Sequence, residues 1–70
     1  GMRVAVLGPD GAPVPDGEPG ELCLRGPAVM SGYADDPAAT AHAFRGGWHH
    51  TGDLARLDER GHLHLIGRLG

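Results

Sequence analysis

Apolar and polar positions alternate over short stretches of this chain, and punctuation by Gly and Pro separates the stretches. Arg3 to Leu7 alternates weakly and predicts a strand. Gly8-Pro9-Asp10-Gly11 follows as a turn, with Gly11 at the position that needs a positive φ. Ala12 to Gly20 reads as a loop, because Pro13, Pro15 and Pro19 remove ladder donors and Asp16-Gly17 adds a turn. Glu21 to Arg25 is the cleanest strand: Leu22 and Leu24 share one face, and Glu21, Cys23 and Arg25 the other. Gly26-Pro27 stops it. Val29-Met30 is too short to classify, and Gly32-Tyr33 is a turn carrying an aromatic. The spacing then predicts a helix over about 36–45. Asp36 is a good N-cap, Pro37 a good first position, and Thr40 and Phe44 lie one turn apart before Gly46 or Gly47 ends it. Two strands close the pattern, Leu54 to Leu57 and His62 to Ile66, with Leu63 and Leu65 facing opposite to His62, His64 and Ile66. Asp58-Glu59-Arg60-Gly61 joins them as a four-residue hairpin loop with Gly61 left-handed. Several short strands with a single short helix predict a mainly β unit.

Composition narrows the functional classes. At 70 residues the chain buries little surface, and its single Cys allows no internal disulfide. A net charge of −3 with no basic stripe argues against nucleic acid or an anionic membrane as partner. No apolar run is long enough for a transmembrane helix or a signal peptide, and a cytoplasmic location is expected. The six basic residues are all Arg, so no lysine serves as phosphate binder or Schiff-base former. Gly1-Met2 reads as a tag remnant.

The densest chemistry lies in Gly47-Trp48-His49-His50-Thr51-Gly52-Asp53-Leu54. A Thr-Gly-Asp turn leads into the apolar strand, and Gly52 lets the backbone approach closely whatever Asp53 holds. An ionised Asp offers two acceptor oxygens, suited to the paired hydroxyls of a vicinal diol such as a ribose. The same residue also suits a turn cap that satisfies backbone N–H groups, the commoner role on spacing alone. Arg68 follows a Gly at the end of the last strand, where a guanidinium either reaches a sugar or phosphate oxygen or stays solvated. His62 and His64 stand at a chelating spacing, with His42, His49 and His50 available to complete a site, but no Cys or carboxylate stands at recognised ligand spacing, and no metal is assigned. No phosphate loop of the G-x-x-x-x-G-K-[ST] kind is present, and Ser31 and Cys23 lack a neighbouring base. Cys23 reads as a small buried strand residue. The Asp35-Asp36 pair reads as a helix cap.

In one order the chain carries Gly20-Glu21-Leu22, Arg25-Gly26-Pro27, Val29-Met30, Gly32-Tyr33, Asp36-Pro37, Thr40, Ala43-Phe44, Gly47-Trp48, His50-Thr51-Gly52-Asp53-Leu54 and Gly67-Arg68. This pattern, dense from residue 18 onward, resembles the adenylate-forming (AMP-binding) superfamily, and the G-W-x-H-T-G-D form is closer to acyl- and aryl-CoA ligases than to peptide-synthetase domains. The resemblance implies an enzyme that activates a carboxylic acid with ATP to an acyl-adenylate and passes the acyl group to a thiol, with Mg2+ and coenzyme A as the accompanying groups. It implies that Asp53 binds the ribose hydroxyls, that Arg68 contacts the ribose or phosphate region, and that Thr51 and Gly52 form the supporting turn. It places residues 1–70 in the distorted β-barrel part of the large N-terminal domain. The departures are the family's Ser/Thr/Gly-rich phosphate loop, its Y-G-x-T-E stretch, its acyl pocket and its catalytic lysine, none of which is present. Gly70 stands at the usual hinge position, and His49 replaces a usually apolar residue. The chain is therefore expected to be a fragment, inactive alone, whose partners are the remaining subdomains or further copies of itself. Two other readings are a non-catalytic self-associating module and a small His-based metal-binding protein.

Overall fold

The computed structural model describes residues 1–27 and 36–70. Four strands pair antiparallel in chain order: β1 (Arg3–Leu7), β2 (Gly20–Arg25), β3 (His49–Leu57) and β4 (Leu63–Arg68). A short helix, α1 (Pro37–Ala43), and a 3-10 turn over Arg45–Gly47 connect β2 to β3. The fold is mainly β with one short helix, as the alternation predicts. Among the described residues the sheet is open, with β1 and β4 as its edges.

Why these segments adopt these forms is visible in their ends. The Asp36 carboxylate accepts the Ala39 N–H at 3.0 Å, and Pro37 takes the first helical position, where no N–H is needed. The helix stops at Phe44, whose N–H still reaches the Thr40 carbonyl, and the chain then turns through Gly46 and Gly47 at positive φ. Between β1 and β2 the loop folds back over the sheet, Val14 donating to the Val6 carbonyl and Gly17 to that of Leu57. Gly20 sits where a Cβ would lie 2.7 Å from the Leu7 carbonyl oxygen, so only glycine lets β2 pass this closely. The hairpin between β3 and β4 closes as the sequence predicts: Gly61 has φ +79, and the Asp58 carboxylate accepts the N–H groups of Arg60 and His62 at 2.9 Å each.

The core is small. Val6, Leu22 and Ala55 pack together, with Val14, Leu24 and Leu57 partly buried against them. On the other face Leu7 and Cys23 are buried.

Three expectations change. β3 begins at His49, not at Leu54, so Thr51-Gly52-Asp53 lies inside a strand as an irregularity and not in a turn ahead of it. β4 begins at Leu63 and runs on to Arg68, which makes Arg68 a strand residue and not one just past the strand. The strict alternation expected on β4 is interrupted: Leu54 pairs with Gly67 and Ala55 with Leu65, so Ile66 is the extra residue of a bulge. The readings at Val29-Met30, Ser31, Gly32-Tyr33 and Asp35 lie outside the described residues.

Candidate functional site

The pairing of β3 with β4 places Asp53 directly opposite Arg68. An Arg68 Nη1 donates to Asp53 Oδ1 at 2.7 Å, a short charge-assisted contact. Asp53 is partly exposed and Arg68 largely so. The second carboxylate oxygen of Asp53 takes no hydrogen bond from the described residues. The two residues singled out for nucleotide contact on a resemblance, fifteen positions apart in the chain, therefore form one exposed unit: an anionic acceptor beside a planar cation.

The backbone below this pair is irregular. Glu21 pairs with Leu54 and Cys23 with His50, so Thr51, Gly52 and Asp53 together stand opposite the single residue Leu22. Gly52 takes φ +79, and its missing Cβ leaves room for the Arg68 guanidinium, whose Nη2 would lie 3.2 Å from that atom. Side chains replace the interrupted ladder bonds. Thr51 Oγ1 donates to the Leu22 carbonyl at 2.8 Å and accepts the Asp53 N–H at 3.1 Å. The Gly52 N–H goes to Glu21 Oε2 at 2.9 Å, and the Gly52 carbonyl accepts Leu69 N–H at 2.8 Å. Thr51 and Gly52 precede Asp53 in a bulge and not in a turn ahead of the strand, and Thr51 holds the Asp53 amide.

Glu21 is the residue that sequence reasoning missed. Its other oxygen lies 2.8 Å from His50 Nδ1 and 3.4 Å from an Arg45 Nη2. Burial alone pushes the Glu21 carboxyl up. The hydrogen bonds from His50 and Gly52, with the charges of His50 and Arg45, outweigh this and hold it below the usual carboxylate range. The signal was present in the sequence as a charged residue on the same strand face as Cys23, but nothing local tells which backbone group it would hold.

His50, Cys23 and Glu21 together invite comparison with a nucleophile–base–acid relay. The geometry does not provide one. Cys23 Sγ and Glu21 Oε1 both approach Nδ1 of His50, at 3.4 and 2.8 Å, while Nε2 faces the Arg45 carbonyl at 3.0 Å. A relay uses opposite ring nitrogens. Burial, followed by the charge of Glu21, pushes the Cys23 thiol up to about 11, so it is not a thiolate at neutral pH. The buried-hydrophobe reading of Cys23 holds.

The histidines spaced for chelation are engaged otherwise. His64 Nε2 sits 2.8 Å from the Asp58 carboxylate and His62 Nδ1 3.8 Å from it. His49 stacks on Phe44 with ring centroids 5.0 Å apart. Nearby, Arg25 lies over the Trp48 ring at 4.2 Å and donates to the Gly47 carbonyl at 2.9 Å, tying the strand to the 3-10 turn. A groove of about 650 Å³ opens beside Glu21, Arg45, Trp48, His50 and Leu54, but neither Asp53 nor Arg68 lines it. Among the described residues no helix is long and apolar enough to cross a membrane.

The sequence matches the family described as "AMP-binding enzyme" over residues 1–34. It is 50% identical over 66 residues to a feruloyl-CoA synthase of Amycolatopsis sp., a match covering 94% of this chain and 13% of that protein. It is 53% identical over 55 residues to a long-chain-fatty-acid–CoA ligase of Escherichia coli, covering 79% of this chain and 10% of that protein. The ATP-bound structure of MatB from Rhodopseudomonas palustris superposes with a TM-score of 0.89 at 40% identity, over 97% of this chain and 14% of that one. The chain thus spans about 13% of the length of the feruloyl-CoA synthase it matches.

Proposed function

The chain belongs to the AMP-binding, adenylate-forming enzymes, and from that premise we propose that it supplies part of the ribose site of an AMP-forming acid–thiol ligase. In this reading a substrate carboxylate attacks the α-phosphorus of ATP, pyrophosphate leaves, and the thiol of coenzyme A then takes the acyl group as AMP departs. Residues 1–70 belong to the β-rich part of the larger N-terminal domain, and the subdomains packed around it are its partners.

One observation carries the assignment: the Asp53–Arg68 pair at 2.7 Å, set on a bulge whose Gly52 leaves the space beside it clear. The donor set fits a ribose. Two vicinal hydroxyls need two acceptor positions, and among the described residues Asp53 keeps one oxygen uncommitted while sharing the other with Arg68. The exposed guanidinium has further N–H donors for a ribose or phosphate oxygen. Mg2+ travels with the nucleotide phosphates in this reading, and no residue here is assigned to it. The acyl substrate is a carboxylic acid, the class that the long-chain-fatty-acid–CoA ligase's name specifies for that protein.

In the enzyme that carries this segment, Asp53→Ala should raise the KM for ATP about tenfold or more, since each charge-assisted bond contributes roughly 1.5–3 kcal/mol. The melting temperature should move little. If Asp53 were only a turn cap, the pattern would invert: a lower melting temperature and an unchanged ATP affinity in the folded protein. The 70-residue chain alone should not catalyse adenylation, and clear ATP-dependent pyrophosphate exchange by the pure chain would refute that. The exposed Leu63, Leu65, Ile66 and Leu69 along and after β4 support a companion statement: the isolated chain self-associates. Sedimentation showing a compact monomer at all concentrations would contradict it.

A further inference from the structure

We propose that Glu21 is the positioning residue of this site: its carboxylate fixes the Thr51–Asp53 bulge and thereby sets where Asp53 and Arg68 present their charges. The functional consequence rests on the nucleotide reading above; the structural core of the inference does not.

Three residues of β3 face one residue of β2, so the backbone groups of the bulge that point toward β2 lack regular ladder partners there. The Gly52 N–H is the one that depends on a distant side chain. It points at Glu21 Oε2, 31 positions away in the chain. The next amide, of Asp53, is held by Thr51 from within the bulge. Glu21 therefore ties the Gly52 amide to β2, while Thr51 holds the Asp53 amide and reaches the Leu22 carbonyl of β2 with its hydroxyl.

The carboxylate is itself held. Its other oxygen meets His50 Nδ1 at 2.8 Å, and the His50 ring is anchored at its far nitrogen by the Arg45 carbonyl. Side-chain exposure is 14% for Glu21 and 8% for His50, so solvent competes little for these contacts. Gly52 then carries the constraint outward by two routes. Its carbonyl accepts the N–H of Leu69, adjacent to Arg68, and its bare Cα underlies the Arg68 guanidinium. A shift of the Thr51–Gly52 peptide would move both members of the pair.

The donor atoms of Glu21, Cys23 and His50 lie within 4.8 Å of one another, which also suits a metal ion. The hydrogen bonds favour the positioning role. Glu21 Oε1 already meets His50 Nδ1, and a metal between them would have to break that contact, displace the thiol proton and bring a cation beside the Arg45 guanidinium.

The test compares Glu21→Ala with Glu21→Gln, which keeps a carbonyl oxygen for the Gly52 N–H. Amide exchange at Gly52, Asp53, Cys23 and Ala55 is read in the chain, and KM for ATP against kcat in the enzyme that carries it. Glu21→Ala should speed exchange at Gly52 and Asp53 about tenfold more than at Cys23 and Ala55, and should raise the KM for ATP about tenfold. Glu21→Gln should restore most of both. Uniform acceleration at all four amides, or a melting temperature lowered alike in both variants with unchanged KM in the folded enzyme, would overturn the inference. If Asp53→Ala leaves the KM for ATP unchanged, the nucleotide reading fails, and the Gly52 exchange rate alone decides the role of Glu21. Should Glu21→Ala not fold, Glu21→Gln decides: retained Gly52 protection upholds the inference and its loss overturns it. Cobalt titration closes the rival: a thiolate-to-metal absorption band at stoichiometric cobalt would overturn the positioning role in favour of a metal site.

Discussion

The two halves of the sheet are held together by different physics. Where β1, β2 and β3 meet, Val6, Leu7, Leu22, Cys23 and Ala55 are each less than a tenth exposed. Where β3 meets β4, every β4 residue is exposed, and Leu65 remains 67% accessible. The first half rests on removing apolar surface from water. The second rests on ladder bonds, the Asp58 turn and the Asp53–Arg68 pair. The residues assigned to ligand contact stand in the second half, and the residues that shape their backbone reach across from the first. A site can tolerate weak local packing when its geometry is fixed from a better-packed neighbour.

Truncating one leucine in each half tests this difference most strongly. Leu22→Ala should cost about 2–5 kcal/mol, the range for a buried Leu that leaves a cavity. In so small a core that is enough to unfold the chain at room temperature. Leu65→Ala should stay within about 0.5 kcal/mol, as an exposed substitution does. Thermal or urea melts of the two variants measure both. Similar losses would show that β4 is stabilised by packing after all.

Two glycine substitutions separate backbone cost from site geometry. Gly52 and Gly61 share φ +79, but a Cβ at Gly52 would meet the Arg68 guanidinium, and at Gly61 it would meet nothing within 4 Å. Gly61→Ala should therefore show the backbone cost alone, on the order of 1–2 kcal/mol for an L-residue in the left-handed region. Gly52→Ala carries that cost and displaces Arg68 as well. Because the guanidinium is the far end of a flexible side chain, the added loss should appear in nucleotide affinity more than in stability. Equal effects of the two on ATP affinity would mean that Gly52 is not special to the site.

Much of the better-packed half was legible in the sequence, and the reason is that its signals are local. Leu22 and Leu24 alternate with Glu21 and Cys23, and Asp36-Pro37 carries a cap and a first-turn residue together, so strand and helix follow from neighbours two to four positions apart. The start of β3 was not legible. Thr51-Gly52-Asp53 has the composition of a turn, and Gly52 does adopt a turn-like φ. It stays within the strand because Glu21 and Leu22, about thirty positions away, accept its displaced hydrogen bonds. No window of local sequence contains both partners. The bulge at Ile66 was hidden for a similar reason: its existence depends on which residue of β3 each β4 residue meets. Asp53 and Arg68 were named on the family pattern, but their direct contact came only from that register.

The hairpin turn offers a pH test confined to the weaker half. Hydrogen bonds from His64 and from the His62 N–H, opposed by desolvation and aided by the Arg60 N–H and the His62 charge, bring the Asp58 carboxyl down to about 2. An unfolded Asp titrates near about 3.9. The folded value is the lower one, so the contribution is fully present above about pH 4 and is lost as pH falls through about 2. Protection of the Arg60 and His62 amides against exchange should fall across that window, and Asp58→Asn should remove that pH dependence. Protection that stays constant from pH 5 to pH 2 would contradict the turn chemistry described here.

The smallest effect is expected where the functional claim is largest. The Asp53–Arg68 pair is short, but the Arg68 side chain is 73% exposed and that of Asp53 is 30% exposed. Solvent screens such a pair, and holding a long side chain in place costs entropy, so its coupling energy should be about 0.2–1 kcal/mol. A double-mutant cycle with Asp53→Ala, Arg68→Ala and both together measures it by thermal melts. Raising the salt concentration should shrink the coupling further. The same cycle, read in ATP affinity in the enzyme that carries the segment, should show losses much larger than those in stability, because there each charge gains a partner that excludes water from it. A coupling of several kcal/mol in stability would make Arg68 a structural clamp for β4, and the two charges would then be accounted for without a ligand.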